Sequence, residues 1–500
     1  MKNEKKIGLA LSYLNIVLGT VINLILTPIL IVRLSPDSYS IYKVMHSFVG
    51  PISMLNLGFS TIVARVTAKY QKNAEGGVQE KENVFATSIV ISAVLAFFAV
   101  ILGRVLLAQV PVIYGKSYSP EQLYLAQAVL RTFVFSGAVH ILTDPFTGCI
   151  VGNERFVVHY GLSTLRYLIK LCLTLVLLYC GAGAAAVANV DLLNNVVIFA
   201  GSVIFSLYVL KEKPRFHYFD KKELYSIFTF GVAIILQTVI NQINNNMDLA
   251  ILGAYNCSTR IITMYSAALT IYMVYNSVLS VFSTLFFPHI AKTISKLSTS
   301  EQLTNMVIKP GRIQAAMAIA VISAFMLFGK DFIGVWIGEA YTDAYYVAMI
   351  LMIPVTIPLV QNACISILDA KLKRLFRSVV LFFMALLNFG VSIVLVGRIG
   401  YIGATVGTAL SLIIGHGIIM NVYYAKVLGI QVFRMFAGIF HRILPSGIIA
   451  TAICYPLALH SRGTILWFAL ECIVFVLVYI MLLWKFGFTE ADKKFIIDEK

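Results

Sequence analysis

Residues Ile7–Leu30 read IGLALSYLNIVLGTVINLILTPIL. The run contains no charged side chain, and it is long enough to cross a hydrocarbon core of roughly 30 Å as a helix. Only three lysines and one glutamate lie within the six residues before it. A basic start followed by an apolar run resembles a secretory leader, but this run is too long and no small-x-small cleavage site follows it. It reads as an uncleaved first span. Val84–Val110 repeats the same character, and comparable stretches recur as far as Trp484. Such a rhythm cannot be a set of soluble cores. The chain is predicted to be an all-α membrane protein.

Composition agrees. Apolar residues make up 59% of the 500-residue chain and charged residues 12%, against about 25% charged in a soluble domain. A soluble enzyme carried on one anchor is excluded, because no long polar segment remains to build it. The net charge of +16 does not indicate nucleic acid. The basic residues sit in alternate loops with no interleaved aromatics, which is the asymmetry of the positive-inside rule. One set of loops holds Arg65/Lys69/Lys72/Lys81, Lys211/Lys213/Arg215/Lys221/Lys222, Lys292/Lys296/Lys309/Arg312 and Lys371/Lys373/Arg374/Arg377. The other set holds single charges such as Arg33, Lys116, Arg260, Lys330, Arg398 and Arg462. Both termini are therefore expected in the cytoplasm, with an even number of spans.

Hydropathy and loop charge predict about fourteen helices. They cover 7–30, 40–63, 84–110, 122–143, 157–180, 184–210, 224–247, 262–287, 312–333, 343–367, 378–397, 402–424, 441–459 and 464–484. The longest inner loops are expected near 66–83, 211–223 and 288–311.

The chain echoes itself. Gly19-Thr20-Val21-Ile22-Asn23 in span one resembles Gln237-Thr238-Val239-Ile240-Asn241 in span seven. Gly181–Ala186 and Gly397–Ala404 join corresponding spans, each preceded by a basic residue, Arg166 or Arg377. Two parallel six-helix lobes follow, over 1–215 and 216–425, with 426–500 supplying two extra helices and a tail. Repeats of this kind mark secondary transporters, with the substrate path between the halves. Prolines fall in several spans. The pair Pro354/Pro358 on one helix is the candidate for a bend that moves.

Polar groups inside the spans are the functional candidates, since a charge at the bilayer centre costs at least about 2.5–3.5 kcal/mol. Arg131 lies near the middle of span four. Arg166 and Lys170 are four apart on span five, hence on one face. No acid on those two spans is at matching depth, so the three form an expected basic wall suited to a phosphate or pyrophosphate. On span seven, Gln237, Asn241, Asn244 and Asp248 are spaced four, three and four, a stripe able to bind sugar hydroxyls or to glue helices. Asp248 and Asp191 are candidates for coupling to a proton or sodium ion. Asp191 is also a candidate counter-ion for Arg131 or Lys170. Ser12, Asn15, Gly19 and Asn23 on span one read as a packing seam. Lys43 and His46 on span two are read as lying near the outer surface.

Other chemistry is missing. The seven cysteines show neither metal spacing nor a disulfide framework, and the eight histidines show no paired metal spacing. Gly115-Lys116-Ser117 lacks the earlier glycine of a phosphate-binding loop. No cofactor or nucleotide site is visible, so transport would draw on an ion, substrate or electrical gradient.

Several segments carry a family resemblance. They are Asn23–Leu30 with Tyr39-Ser40-Ile41-Tyr42, and Leu55-Asn56-Leu57-Gly58-Phe59 with Arg65. Gly152-Asn153-Glu154-Arg155-Phe156, the stretch ending in Asp248, and Gly400–Ala404 complete the set. Together they resemble the polysaccharide flippase family, the oligosaccharide-lipid branch of the multidrug/oligosaccharidyl-lipid/polysaccharide exporter superfamily. The resemblance implies two six-helix lobes around a central cavity, plus two further helices. It implies alternating access that carries an undecaprenyl-pyrophosphate-linked oligosaccharide across a bacterial cytoplasmic membrane, alongside polysaccharide-assembly machinery. A drug or metabolite antiporter on the same fold is the rival, though such cavities tend to be acidic or aromatic. A membrane polymerase or ligase is the rival from another class. It would need a sizeable extracytoplasmic loop, which the sequence lacks, so the chain is not read as an enzyme.

Overall fold

The computed structural model describes residues 2–53, 55, 58–70, 77–217, 247–255, 257–293, 299–371, 375–460, 464–490 and 492–493. Among them the regular structure is helical throughout. Among the described residues eleven helices are long and apolar enough to span a membrane, or twelve if a bent pair counts as one span. The chain divides into two compact units, Met1–Thr263 and Met264–Lys500.

The first unit begins with α1 (Lys2–Arg33), α2 (Pro36–Ser47), α3 (Val49–Ser53) and α4 (Phe59–Tyr70). It continues with α5 (Gly77–Tyr114), α6 (Pro120–Gly152), α7 (Phe156–Tyr179) and α8 (Ala184–Ile204). The helix starts follow from the sequence. Ser35 accepts from the Ser38 N–H at 3.2 Å, with Pro36 at the first helical position. Ser119 and Gln122 cap each other reciprocally at the start of α6, again with a proline at the first helical position. These residues satisfy amide groups that a helix start leaves unpaired.

The predicted second span, 40–63, is not one helix. It is divided into α2, α3 and α4. Pro51 brings no amide hydrogen, and Gly58 takes φ +66°, a left-handed conformation that a side chain disfavours. Hydropathy registers the apolar content of this stretch but not its breaks. The predicted seventh span, 224–247, falls almost wholly outside the described residues.

Helix α6 is the hub of this unit and packs with α2, α4, α5 and α8. Small residues allow the closest approaches, as expected where helices pack in lipid. A Cβ on Gly148 would stand 2.5 Å from the Ser60 carbonyl oxygen. Helix α1 lies along α7. There Asn15 Nδ2 donates to the Tyr160 carbonyl at 2.9 Å, and Thr164 Oγ1 donates to Asn15 Oδ1 at 3.0 Å.

The boundary of the second unit falls within α9 (Thr259–Thr293). Then come α10 (Ser300–Ile337), α11 (Ala344–Val360), α12 (Asn362–Ala370) and α13 (Leu375–Ile399). Helix α14 (Tyr401–Leu412) runs on through π-helical turns to Leu428. The last helices are α15 (Val432–Phe440), α16 (Ile443–Leu459) and α17 (Ile465–Leu482). Helix α10 starts earlier than hydropathy predicts, so Lys309 and Arg312 lie on it rather than in a loop. Its core with α16 and α17 gathers Phe328, Ile443, Phe475 and Tyr479. The Tyr479 hydroxyl donates to the Ala316 carbonyl at 2.7 Å. Helices α11 and α12 are bent by 43° at their junction, just after Pro354 and Pro358 have removed two backbone donors. Leu466 is 82% and Phe433 94% exposed, as hydrocarbon-facing side chains would be.

The two echoed joints share one device. Gly181, between α7 and α8, has φ +79°, and Gly400, between α13 and α14, has φ +65°. Each reverses the chain where only glycine is unstrained.

Candidate functional site

The charged residues of the first unit do not form one continuous basic wall. Lys170 Nζ lies 3.0 Å from Asp191 Oδ1. Lys170 and Asp191 stand at comparable distances from the turn that joins α7 to α8, which brings them to one level. The Tyr42 hydroxyl donates to the other Asp191 oxygen at 3.2 Å. Ser136 Oγ donates to the Asp191 backbone carbonyl at 3.3 Å, and Asn195 Nδ2 donates to Ser136 Oγ at 2.8 Å. Asp191 is thus a junction of α2, α6, α7 and α8. Asp191 of span six, a candidate counter-ion for Arg131 or Lys170, is thus paired with Lys170. Lys43 and His46 on α2 lie within the electrostatic reach of this pair.

Arg166 is different. It sits one turn before Lys170 and lines a cavity of about 140 Å³ between α6, α7 and α8. His140, Asp144, His159 and Ser163 share that lining. Arg166 Nε is buried with no hydrogen-bond partner among the described residues. Asp144 is partly committed, since one of its oxygens accepts from the Ser60 N–H at 2.9 Å. Arg131 is on the exposed side of α6 and does not line this cavity. The structure therefore joins Lys170 to Asp191, gives Arg166 a cavity of its own, and leaves Arg131 apart from both.

Asp248 lies in the helical stretch 247–254 and is 3% exposed. Gln237, Asn241 and Asn244 fall outside the described residues.

Several polar groups escaped the sequence reading. His159, Ser163, Arg166 and Lys170 are spaced four, three and four, the pattern recognised on span seven but not on span five. His140 and Asp144 are four apart on α6. In the second unit, Asn388 Oδ1 accepts from both Ser392 Oγ and Thr408 Oγ1 at 3.1 Å, all three buried. Gln361 Nε2 donates to Asn421 Oδ1 at 2.7 Å where α11 meets α12.

The second unit also carries an open apolar cavity of about 710 Å³. Ile319 and Met326 of α10, Ile353 and Pro354 of α11, and Ile448 and Tyr455 of α16 contribute to its wall. Among the described residues no group of three His, Cys, Asp or Glu side chains could hold a metal ion.

Two solved structures are similar in fold. The lipid II flippase MurJ in an inward closed conformation aligns with TM-score 0.72 at 15% identity, over 95% of this chain and 97% of its own. An inward-facing multidrug resistance MATE family transporter of the MOP superfamily aligns with TM-score 0.63 at 15% identity, over 79% of this chain and 93% of its own. No curated protein sequence matches the chain. Residues 30–346 match the polysaccharide biosynthesis protein family. With that match over most of its length, and with a multi-pass helical fold shared with MurJ and MATE transporters, the chain belongs to the polysaccharide biosynthesis protein family.

Proposed function

We propose that this protein is a flippase that moves an undecaprenyl-pyrophosphate-linked oligosaccharide across the bacterial cytoplasmic membrane by alternating access. Both termini are on the cytoplasmic side, as the loop charges indicate. The observation that carries the reading is the state of Arg166. A half-buried guanidinium that faces a polar cavity, its Nε buried with no hydrogen-bond partner among the described residues, is costly, and a phosphorylated cargo would relieve that cost. The apolar cavity of the second unit supports a lipid-bearing cargo, since a polyprenyl chain loses nothing on leaving hydrocarbon for such walls. Asp191, held by Lys170 and Tyr42, and the buried Asp248 are the groups proposed to couple transport to a proton or sodium ion. Arg131 is a proposed secondary contact for the anionic cargo. Gln237, Asn241 and Asn244 are proposed contacts for its sugars.

The test is reconstitution of the full chain in proteoliposomes loaded with a fluorescent polyprenyl-pyrophosphate-linked saccharide. Arg166→Ala should slow its movement about tenfold or more, the loss expected from removing a charge-assisted contact. Ala452→Trp, which fills the apolar cavity, should slow it as well. A wild-type protein that leaves this cargo in place and moves organic cations instead would refute the proposal.

A further inference from the structure

The cavity at Arg166 permits a sharper statement than the function alone. Three of its four hydroxyl neighbours are already spent as donors; the fourth is Ser202 on α8. Thr143 Oγ1 donates to the Val139 carbonyl at 2.8 Å, and Ser163 Oγ donates to the His159 carbonyl at 3.1 Å. Thr147 Oγ1 donates to the Thr143 carbonyl at 3.3 Å. An occupant is therefore held chiefly by nitrogen donors, the Arg166 guanidinium and the imidazoles of His140 on α6 and His159 on α7, with the Ser202 hydroxyl beside them. A guanidinium in the wall disfavours a cation as occupant. The volume, about 140 Å³, is that of roughly four to five liquid water molecules. A tetrahedral oxyanion and a water fit there; a sugar ring with its hydration does not.

The charge of the site is set by the two imidazoles. The titratable and charged groups facing them are Arg166 on α7 and Asp144 on α6. Helix α8 contributes only Ile198 and Ser202 to the lining, and α4 contributes the Ser60 N–H that binds Asp144. On the neighbouring α1, Glu4 is engaged with Arg155 at 3.3 Å. One turn further along α7, Lys170 is engaged with Asp191. With both imidazoles neutral, Arg166 and Asp144 cancel. With both protonated, the cavity carries two net positive charges and gains two N–H donors.

We infer that this cavity binds a tetrahedral oxyanion of the phosphate class through Arg166, His140 and His159, and loosens its hold as the imidazoles lose their protons. The inference rests on the proposed function only for the identity of the physiological anion, which is then the phosphate group nearest the membrane-embedded helices. The same chemistry would accept free pyrophosphate.

The test uses the full chain in nanodiscs and calorimetric titration with sulfate, whose own charge does not change between about pH 5.5 and 8. The imidazoles gain protons only toward the acid end, and a bound dianion favours their protonated form, so sulfate should bind about tenfold more tightly there. The double variant His140→Gln/His159→Gln should bind weakly and equally at both ends. Arg166→Gln should not bind, whereas Arg166→Lys, which keeps the charge, should retain weak and still pH-dependent binding and so exclude misfolding as the cause. Competition then separates the sources. Displacement of sulfate by farnesyl diphosphate supports the site as a lipid headgroup subsite, and displacement by inorganic pyrophosphate alone supports it as a site for a free anion. Sulfate binding that is indifferent to pH, or that survives Arg166→Gln, overturns the inference. A protein that binds sulfate as described but moves no lipid-linked saccharide overturns the flippase reading and leaves this site standing.

Discussion

Lys170 and Asp191 face each other at 3.0 Å across the α7–α8 hairpin, and the Tyr42 hydroxyl holds the second Asp191 oxygen. Neither charge is stranded in the bilayer. Removing one partner leaves the other desolvated without compensation, which is more harmful than never having had the pair. Lys170→Ala or Asp191→Asn should therefore each destabilise the protein by about 1–3 kcal/mol, the lower part of the range for buried pairs because both side chains keep some exposure. The double replacement by methionine should recover most of that loss. Thermal unfolding in detergent reads this directly. Near-additive losses in the double variant would show the two charges to be independent.

Arg166 predicts the opposite pattern. It has no protein hydrogen bond at Nε, so its removal should cost stability little, within about 0.5 kcal/mol, while transport falls about tenfold or more. Thermal unfolding and proteoliposome flux measured on the same preparation separate the two effects. An Arg166→Ala protein that unfolds early and transports normally would contradict both halves of the expectation.

The glycine at the crossing of α4 and α6 gives a packing test. Ala at 148 would bring a methyl to 2.5 Å from the Ser60 carbonyl oxygen and 2.7 Å from its Cα. Backbone cannot swing aside as a side chain can, so Gly148→Ala should destabilise by about 1–3 kcal/mol. Gly161→Ala is the control, since a Cβ there meets nothing within 4 Å. Equal unfolding temperatures for the two variants would refute the packing account.

A further charged contact lies beyond the last span. Asp492 accepts from Arg312 at 2.5 Å, from Thr489 Oγ1 at 2.6 Å and from the Thr489 N–H at 2.9 Å. Burial pushes the Asp492 carboxyl up, but the Thr489 and Arg312 contacts outweigh it and hold the group below the usual carboxylate range. A depressed value means stabilisation that is complete above the unfolded-state value of about 3.9 and is lost as pH falls through the folded one. The tail should thus resist proteolysis at neutral pH and become susceptible only in strong acid. Asp492→Asn should be susceptible at neutral pH already. Equal cleavage rates for both proteins near pH 7 would show that the contact does not hold the tail.

Much of this was readable from the residues. Long apolar runs and alternating loop charge announced the helices. Gly181 and Gly400 marked the tight turns, because a left-handed joint leaves a glycine behind. The break in the second span was half visible in Gly50-Pro51 and Gly58, but apolar neighbours masked it. The helix extensions of α6 and α10 were not visible, since hydropathy ends where a helix leaves hydrocarbon while its hydrogen bonds continue. The Lys170–Asp191 pair follows from counting outward from one turn. The Arg166 cavity does not, because a cavity depends on what three helices fail to fill. The place of the span-seven amides lies outside the described residues.

The bond from the Ser60 N–H to Asp144 closes the start of α4 with a group that lies 84 residues further along the chain. During synthesis, that opening turn emerges long before its acceptor does. Until the later helix arrives, its bare peptide donors are a poor match for the lipid interior. The second span therefore has reason to linger beside the insertion machinery, or at the headgroups, and to settle only when α6 is delivered. Biogenesis of this lobe becomes an ordered event in which a single carboxylate acts as the late-arriving keystone.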